Sequence, residues 1–285
     1  MSIRHRALDL LAWVLARTPL WLGELWAWAL AWVWWTVLPV RKGVALDNIG
    51  QALPELGVTA RARMLRRSLH DLALGYVELL RCLRRPELFE PTCRAENLER
   101  LTRRQEQGLP CLVLQGHFGS FDLVMLAMGR GRGMDLSCIV KAPTDPWAAA
   151  LVERARVARG VELIPPRHCM DRVYRGLEQG RVVIFAADQR FNEGILAPFL
   201  GRPALTGTGL AAAARRSGVP VFLVWQWREG RGRHVMHVSP PLDLTWTDDA
   251  EADIARATVQ FNDALSACVR ERPHGWLWLH KRWRL

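Results

Sequence analysis

Lysine is scarce in this chain of 285 residues, although its formal net charge is +11. Lys42, Lys141 and Lys281 are the only lysines, so arginine supplies nearly all of the positive charge. Arginine can bind a phosphate or carboxylate group through two parallel hydrogen bonds, which the compact ammonium group of lysine cannot do. The charge is typical of a protein that meets an anionic partner: nucleic acid, a membrane surface or an acidic protein.

Paired cysteines are absent as well. The six cysteines are scattered along the chain, and no two of them form a CxxC pair. A disulfide framework or a cysteine-based zinc site needs cysteines at short, regular spacings. The hydrophobic neighbours of these cysteines instead indicate reduced, buried thiols in a cytosolic compartment.

The chain also lacks the short motifs of several functional classes. It contains no GxSxG, no P-loop, no HExxH and no recognised nucleic-acid-binding motif. Residues 207–212 match a loose GxGxxA pattern, but they do not follow a first strand, so helix packing or close approach of a substrate is favoured over dinucleotide binding. His234 and His237 have no third ligand cluster, so we predict no metal site.

Charge is nearly absent between Pro19 and Val40, where Glu24 is the only charged residue. A helix of this length would extend about 33 Å, enough to cross the hydrocarbon core of a bilayer. Half of the 14 tryptophans precede residue 36, and tryptophan prefers the membrane interface. No small-residue cleavage site follows, which disfavours a cleaved signal peptide. We therefore predict a membrane anchor over residues 1–42 that spans the bilayer, with an interfacial helix or hairpin and a buried helix as alternatives.

A helical connecting region is predicted over residues 43–93. Between residues 59 and 84, apolar residues recur at helical spacing. The opposite face of this predicted helix carries arginines at positions 61, 63, 66, 67 and 81. Such a basic amphipathic helix either has an ordinary solvated face or lies against anionic lipid.

Short apolar runs alternate with helical patterns from residue 94 to residue 285, which we treat as one domain. The runs predict strands at residues 111–115, 136–140, 162–164, 181–187, 219–225 and 234–238. This alternation predicts an α/β fold, in which a mainly parallel sheet is flanked by helices and follows the N-terminal hydrophobic helix.

The segment QGHFGSFD places His117 just after a buried strand and Asp122 in the first turn or so of the next helix. A carboxylate bound to Nδ1 would fix the tautomer of the imidazole and leave Nε2 free as a base. The amides of Gly119 and Ser120 lie at the start of this helix, where unpaired amides can stabilise an oxyanion. Because this spacing is common in proteins, it does not identify a catalytic site on its own.

The same segment resembles the His-x4-Asp/Glu signature of the lysophospholipid-type acyltransferases. It is most similar to the lipid A biosynthesis branch, whose members add late, secondary acyl chains. Further blocks resemble this family in the same order over residues 110–285: Arg156-x3-Gly160 before Leu163-Ile164-Pro165, Asp188-Gln189 after a strand, the small residues at 206–209, and the C-terminal block Trp276–Trp283.

The resemblance implies a fold like that of glycerol-3-phosphate acyltransferase and an enzyme that needs no cofactor. The implied reaction moves a fatty acyl group from an acyl carrier protein thioester to a hydroxyl of a membrane glycolipid, most closely a lipid A precursor. The alternatives are another glycolipid or a lysophospholipid as acceptor, or a non-catalytic lipid-binding membrane protein. We expect the inner membrane as the location, with the catalytic domain on the cytoplasmic side.

The resemblance also implies roles for particular residues. His117 is expected to act as the base and Asp122 to orient it. Five residues in or beside the family blocks are expected to bind substrate: Lys141, Arg156, Asp188, Gln189 and Arg190. The chain departs from the family pattern at Asp122, where glutamate is usual, and at Lys141 and Arg190. The last two departures lie where the acceptor would be bound, so they bear on the identity of the acceptor.

Overall fold

The computed structural model describes residues 3–129, 132–140, 145–146, 149–150, 153, 156–157 and 159–284, with the backbone alone described at residues 3–5, 7, 8, 86 and 89. In these ranges the chain alternates helices and strands. The helices are α1 (Ile3–Arg17), α2 (Leu20–Thr36), α3 (Lys42–Ala52), α4 (Val58–Arg84), α5 (Phe89–Thr92), α6 (Glu99–Glu106), α7 (Phe121–Met128), α8 (Met170–Glu178), α9 (Gly209–Ser217) and α10 (Ala250–Glu271). Short 3-10 turns cover Pro86–Leu88 and Pro273–Gly275.

Nine strands are present in the described residues: β1 (Cys93–Glu96), β2 (Cys111–Gln115), β3 (Leu136–Ile139), β4 (Val161–Ile164), β5 (Val182–Ala186), β6 (Ile195–Phe199), β7 (Arg202–Thr206), β8 (Val221–Gly230) and β9 (Arg233–Pro241). Seven of them form one sheet in the order β1-β9-β8-β2-β5-β3-β4. Every neighbouring pair is parallel except β8 and β9, which form an antiparallel hairpin. The predicted α/β fold with a mainly parallel sheet is confirmed.

The central strands β2 and β5 are apolar on both faces because helices cover both sides of the sheet. All five residues of β2 are buried, and so are the first four of β5. These two strands run in parallel with Gln115 opposite Ala186. Residues that follow the two strands therefore emerge side by side at the carboxyl edge of the sheet, where open α/β sheets bind ligands.

The N-terminal segment forms two helices, so the predicted single hydrophobic helix is wrong. Among the described residues, none of the helices combines the length and the hydropathy that a bilayer span requires. The break lies at Thr18 and Pro19 because proline lacks an amide hydrogen and disfavours helical geometry in the residue before it. Arg81 of α4 stabilises the break, since its guanidinium donates to the carbonyl oxygens of Leu15 and Thr18.

Both N-terminal helices pack on α4, the helix for which the sequence predicted a basic face. The ring of Trp28 stacks on His70 with 4.0 Å between the ring centroids, and Arg84 pairs with Asp9 of α1. The guanidinium of Arg66 lies 4.5 Å from the ring centroid of Trp35. Two arginines of the basic face, Arg66 and Arg81, therefore contact the N-terminal helices, although Arg66 remains exposed.

The six cysteines are free thiols, and five of them are buried. Burial raises the pKa of Cys111 to about 12, so this thiol stays protonated at neutral pH. The prediction of reduced, buried cysteines is confirmed for all but Cys169, which is partly exposed.

Candidate active site

The candidate site lies where β2 and β5 end. His117 follows β2 after one intervening residue, Gly116, and Asp188 follows β5 after Ala187. The amide of Ala187 donates to the carbonyl oxygen of Gln115 at 3.0 Å, so pairing of the two strands continues up to the site. This pairing brings together two side chains that are 71 residues apart in sequence.

Asp188 contacts His117 at two points. One carboxylate oxygen, Oδ1, lies 2.7 Å from Nδ1 of the imidazole, and the other, Oδ2, accepts the backbone amide of His117 at 2.7 Å. Because an ionised carboxylate only accepts hydrogen bonds, Nδ1 carries the proton and Nε2 carries the lone pair. The Asp188 side chain is 1% exposed and the His117 side chain 16%. The imidazole is therefore partly accessible to solvent, whereas the carboxylate is buried.

The pair stabilises its own charges. Burial alone would lower the pKa of His117, but the charge and hydrogen bond of Asp188 and the more distant charge of Asp122 outweigh burial and raise this pKa above its ordinary value. Burial alone would raise the pKa of Asp188, but the charge of His117 and the hydrogen bonds that the carboxylate accepts lower it to about 2. Asp188 is therefore an anion throughout the working pH range, ready to stabilise an imidazolium.

Gln189 occupies the other side of the imidazole. Its amide nitrogen Nε2 lies 3.1 Å from Nε2 of His117 and donates to the lone pair there. An acceptor hydroxyl would need this same position in order to give up its proton. The structure thus places both Asp188 and Gln189, which the sequence assigned to substrate binding, in direct contact with the imidazole.

Asp122 lies in the first turn of α7, as predicted, but it does not contact Nδ1. Its carboxylate forms an ion pair with the guanidinium of Arg156, whose side chain is 5% exposed. The expectation that Asp122 orients the imidazole is therefore corrected, because Asp188 already occupies Nδ1. Asp122 still acts on His117 through its charge. Its part in catalysis remains a prediction, as does substrate binding by Arg156.

The turn between His117 and α7 differs from expectation in one amide. The backbone amide of Gly119 donates to the carbonyl oxygen of Gly275 at 2.8 Å, so it is not free for an oxyanion in this structure. Gly119 adopts a φ of 50°, a left-handed conformation that glycine enters without strain. Ser120 is buried, and its hydroxyl lies 3.4 Å from a guanidinium nitrogen of Arg228. An oxyanion role for the amide of Ser120 remains a prediction.

Close packing surrounds the imidazole. The ring of Phe121 meets that of His117 edge-on, with 4.5 Å between centroids. A Cβ atom at Gly116 would lie 2.4 Å from the ring of Phe118 and 3.2 Å from Oδ2 of Asp188, so only glycine fits there. A cleft of about 20 Å³ separates this turn from α4, which is too small for a fatty acyl chain unless side chains move.

A contribution that the sequence did not predict comes from the C-terminal block. Trp276 pairs with Phe118 in an isolated antiparallel bridge, and its indole nitrogen Nε1 donates to Oδ2 of Asp188 at 2.8 Å. Arg282, fully buried, donates to the carbonyl oxygen of Gln189 at 3.2 Å. Burial lowers the pKa of this guanidinium to about 10. The sequence signalled these contacts only through the presence of the C-terminal block. A buried indole or guanidinium must find a hydrogen-bond partner, but the sequence does not show which partner it finds.

The remaining predicted residues either lie apart from the imidazole or lie outside the part of the chain that the structure describes. Arg190 is partly exposed, and its Nε donates to the carbonyl oxygen of Arg284 at 2.6 Å. Lys141 lies outside the described residues. His234 and His237 face carboxylates, Glu78 at 2.9 Å and Glu96 at 3.2 Å, which is a structural arrangement. Substrate binding by Lys141 and Arg190 therefore remains a prediction.

Comparison with known proteins adds one finding. The family model described as "Bacterial lipid A biosynthesis acyltransferase" matches residues 9–285, which includes every element of the candidate site. No curated protein matches the chain.

Proposed function

The chain belongs to the bacterial lipid A biosynthesis acyltransferase family, and we propose that it transfers a fatty acyl group from an acyl carrier protein thioester to a hydroxyl of a membrane glycolipid, a lipid A precursor. The observation that carries this proposal is the pairing of His117 with Asp188. It leaves the lone pair of Nε2 on the side of the partly exposed imidazole that is turned away from the Asp188 anion. This arrangement suits removal of a proton from an alcohol.

The reaction needs no covalent enzyme intermediate. Nε2 of His117 takes the proton of the acceptor hydroxyl while the oxygen attacks the carbonyl carbon of the thioester. The resulting tetrahedral intermediate expels the thiolate as the carbon–sulfur bond breaks. The imidazolium then returns the proton to the sulfur. The products are an ester and a free thiol, and His117 is again neutral. Asp188 stabilises the imidazolium in the interval, as the buried aspartate does in Ser-His-Asp triads.

Gln189 and Asp122 are given distinct roles in this mechanism. The incoming hydroxyl replaces the Gln189 amide at Nε2, and the displaced amide becomes a hydrogen-bond donor beside the reacting atoms. Asp122 adds negative charge near the imidazole while it neutralises Arg156. We expect the partly exposed Arg190 to contact an acidic group of the acceptor, since arginine matches phosphate geometry.

The carrier protein as donor is supported by charge. The chain has a formal net charge of +11, almost all from arginine. Acyl carrier proteins are acidic, and complementary charge speeds encounter and selects the partner. The thiolate of a thioester is also a better leaving group than the alkoxide of an oxygen ester, which suits a site whose proposed base is a single histidine.

We further propose that the N-terminal helices attach the protein to the cytoplasmic face of the inner membrane. Their outer faces expose a group of large apolar side chains, called the N-terminal apolar face: Leu10, Leu11, Trp13, Val14, Trp21, Leu25, Trp26, Trp28, Leu30 and Trp32, each at least 39% exposed. An apolar surface this rich in tryptophan suits the headgroup region of a bilayer. Attachment in the interface also needs no helix of spanning length.

Attachment is tested by replacing three exposed tryptophans, Trp21, Trp26 and Trp32, with serine and sedimenting the protein with anionic phospholipid vesicles. The control is Leu196→Ser, which removes one apolar side chain of similar exposure from the β6–β7 hairpin. We expect the triple variant to remain in the supernatant and the control to sediment like the wild type. Equal sedimentation of all three proteins would refute attachment through this face.

The reaction is tested with purified protein in mixed micelles, and products are identified by mass spectrometry. The donors are acyl carrier protein thioester and the matching coenzyme A thioester, and the acceptors are a lipid A precursor and a lysophospholipid. We expect a gain of one acyl chain on the lipid A precursor, faster with the carrier protein, and at least about a hundredfold slower in His117→Ala. Transfer to the lysophospholipid alone would reject the acceptor, and no transfer to either would favour a lipid-binding protein.

A further inference from the structure

The carboxylate that supports His117 receives one donor from a distant part of the chain. The indole nitrogen of Trp276 donates to Oδ2 of Asp188 at 2.8 Å, and Trp276 is 1% exposed. The same oxygen accepts the amide of His117 at 2.7 Å, while Oδ1 faces Nδ1 at 2.7 Å. The carboxylate thus has three donors, and the indole is the one that does not belong to His117.

Backbone contacts fix the indole in place. Residues Phe118 and Trp276 form an antiparallel bridge, and the amide of Gly119 donates to the carbonyl oxygen of Gly275 at 2.8 Å. The hydroxyl of Ser68 in α4 lies 3.3 Å from the carbonyl oxygen of Trp276. The segment that carries the indole is therefore attached directly to the turn that carries the imidazole.

We infer that Trp276 is a positioning residue for acyl transfer, which holds the Asp188 carboxylate against Nδ1 of His117 and withdraws part of its negative charge. This inference rests on the proposed function of the His117–Asp188 pair. Nothing in the mechanism above assigns a role to the C-terminal block. The geometry gives it one, because without the indole Oδ2 of this buried carboxylate would keep the amide of His117 as its single donor.

Loss of the indole N–H has a direction that can be measured. The hydrogen bond from Trp276 is one of the contacts that lower the pKa of Asp188. Without it, more negative charge remains on the carboxylate, and the imidazolium of His117 is stabilised further. The pKa of His117, already raised in the wild type, should rise further in a variant without the indole. His117 should then need a higher pH to be deprotonated and act as a base.

The test compares Trp276→Phe with Trp283→Phe. Trp283 lies in the same cluster of rings, with 5.9 Å between its centroid and that of Trp276, and its Nε1 donates to the carbonyl oxygen of Phe199 at 3.2 Å. Both variants lose an indole N–H from one aromatic cluster, but only Trp276→Phe removes it from Asp188. We expect Trp276→Phe to lower kcat by about tenfold or more, the effect of a hydrogen bond to a charged group, and to leave KM for the donor unchanged.

The pH dependence separates positioning from packing. The acidic limb of kcat/KM should move to higher pH in Trp276→Phe and stay in place in Trp283→Phe, whatever thermal stability each variant loses. The inference is overturned if the two variants lose equal activity with no movement of the limb. It is also overturned if Trp276→Phe retains wild-type kcat.

A readout that needs no substrate keeps this inference distinct from the proposed function. The imidazole of His117 is titrated by NMR in full-length wild type and Trp276→Phe, with the signal assigned by its loss in His117→Gln. An upward shift of the titration midpoint supports the inference even if no lipid is acylated, in which case the proposed function alone fails. An unchanged midpoint refutes the inference even if acyl transfer is observed.

Discussion

Replacement of Asp188 by asparagine should invert the tautomer of His117. Oδ2 accepts two donors, the amide of His117 and the indole of Trp276, whereas Oδ1 meets only Nδ1–H. An asparagine can leave its carbonyl oxygen with the two donors only by turning its NH2 group toward Nδ1. Nδ1 must then accept, so the proton moves to Nε2 and the lone pair that removes the hydroxyl proton is lost.

The expected loss follows from these contacts. A correctly placed general base contributes roughly 10²–10⁴-fold to the rate, and the corresponding Asp→Asn change in a Ser-His-Asp protease costs roughly 10⁴-fold. Asp188→Asn also removes the anion that supports the imidazolium. We therefore expect kcat to fall by about 10³-fold or more, or about 4 kcal/mol of transition-state stabilisation.

The assay is acyl transfer at saturating donor and acceptor, with Asp122→Asn measured alongside. Asp122 pairs with the buried Arg156, and removal of one member of a buried ion pair leaves a charge without compensation. We expect Asp122→Asn to lower the melting temperature by roughly 5 °C or more and Asp188→Asn to act chiefly on kcat. In the double variant His117→Ala/Asp188→Asn, activity should be no lower than in His117→Ala alone, because the two residues act as a unit.

One outcome would refute this reasoning. If Asp188→Asn keeps near wild-type kcat while a fully folded Asp122→Asn is inactive, then Asp122 orients the base during turnover. The pairing seen at Nδ1 would in that case belong to a resting arrangement.

Three further predictions concern stability. Glu78→Gln should lower the melting temperature at pH 7, because the pKa of Glu78 is about 2 in the folded protein and 4.5 ordinarily. The stability that the ionised carboxylate contributes is complete above pH 4.5, so the melting temperatures of wild type and variant should converge as pH falls toward 2. Burial lowers the pKa of His280 to about 4 from 6.5, so the unfolded chain takes up the proton at a higher pH than the folded protein. The melting temperature of the wild type should therefore fall as pH is lowered from 6.5 to 4, and thermal scans at a series of pH values should show a smaller fall in His280→Gln. Gly116→Ala should lower both melting temperature and kcat because its Cβ would lie 2.4 Å from the Phe118 ring, whereas Gly43→Ala, with open space around it in a helix, should preserve both; equal effects of the two would contradict the packing argument.

The position of His117 could be predicted from the sequence because it depends on local patterns. The buried run at residues 111–115 predicts β2, and a residue just past a buried parallel strand lies at the ligand-binding edge. The partner of the imidazole could not be predicted in this way. Asp188 reaches Nδ1 only because β5 lies directly beside β2, and strand order does not follow from hydrophobic periodicity. Asp122 was nearer in sequence, but it faces Arg156.

The N-terminal break could have been predicted, whereas its stabilisation could not. Pro19 stands within the apolar segment, and proline interrupts or begins a helix. Hydropathy averaged over the segment hides that single position. The clamp by Arg81 joins residues more than 60 positions apart. For the same reason the contact between Trp276 and Asp188, 88 positions apart, was beyond any local pattern.

The bridge between Phe118 and Trp276 is also expected to form late during folding. It closes a loop of more than 150 residues around most of the α/β domain, and such distant contacts form late because loop closure costs entropy. Strands and helices can form before this closure, but a chain that lacks it has a base with an incompletely held partner. Recovery of enzymatic activity after refolding should therefore lag behind recovery of secondary structure. Intermediates that have already collapsed would be catalytically silent.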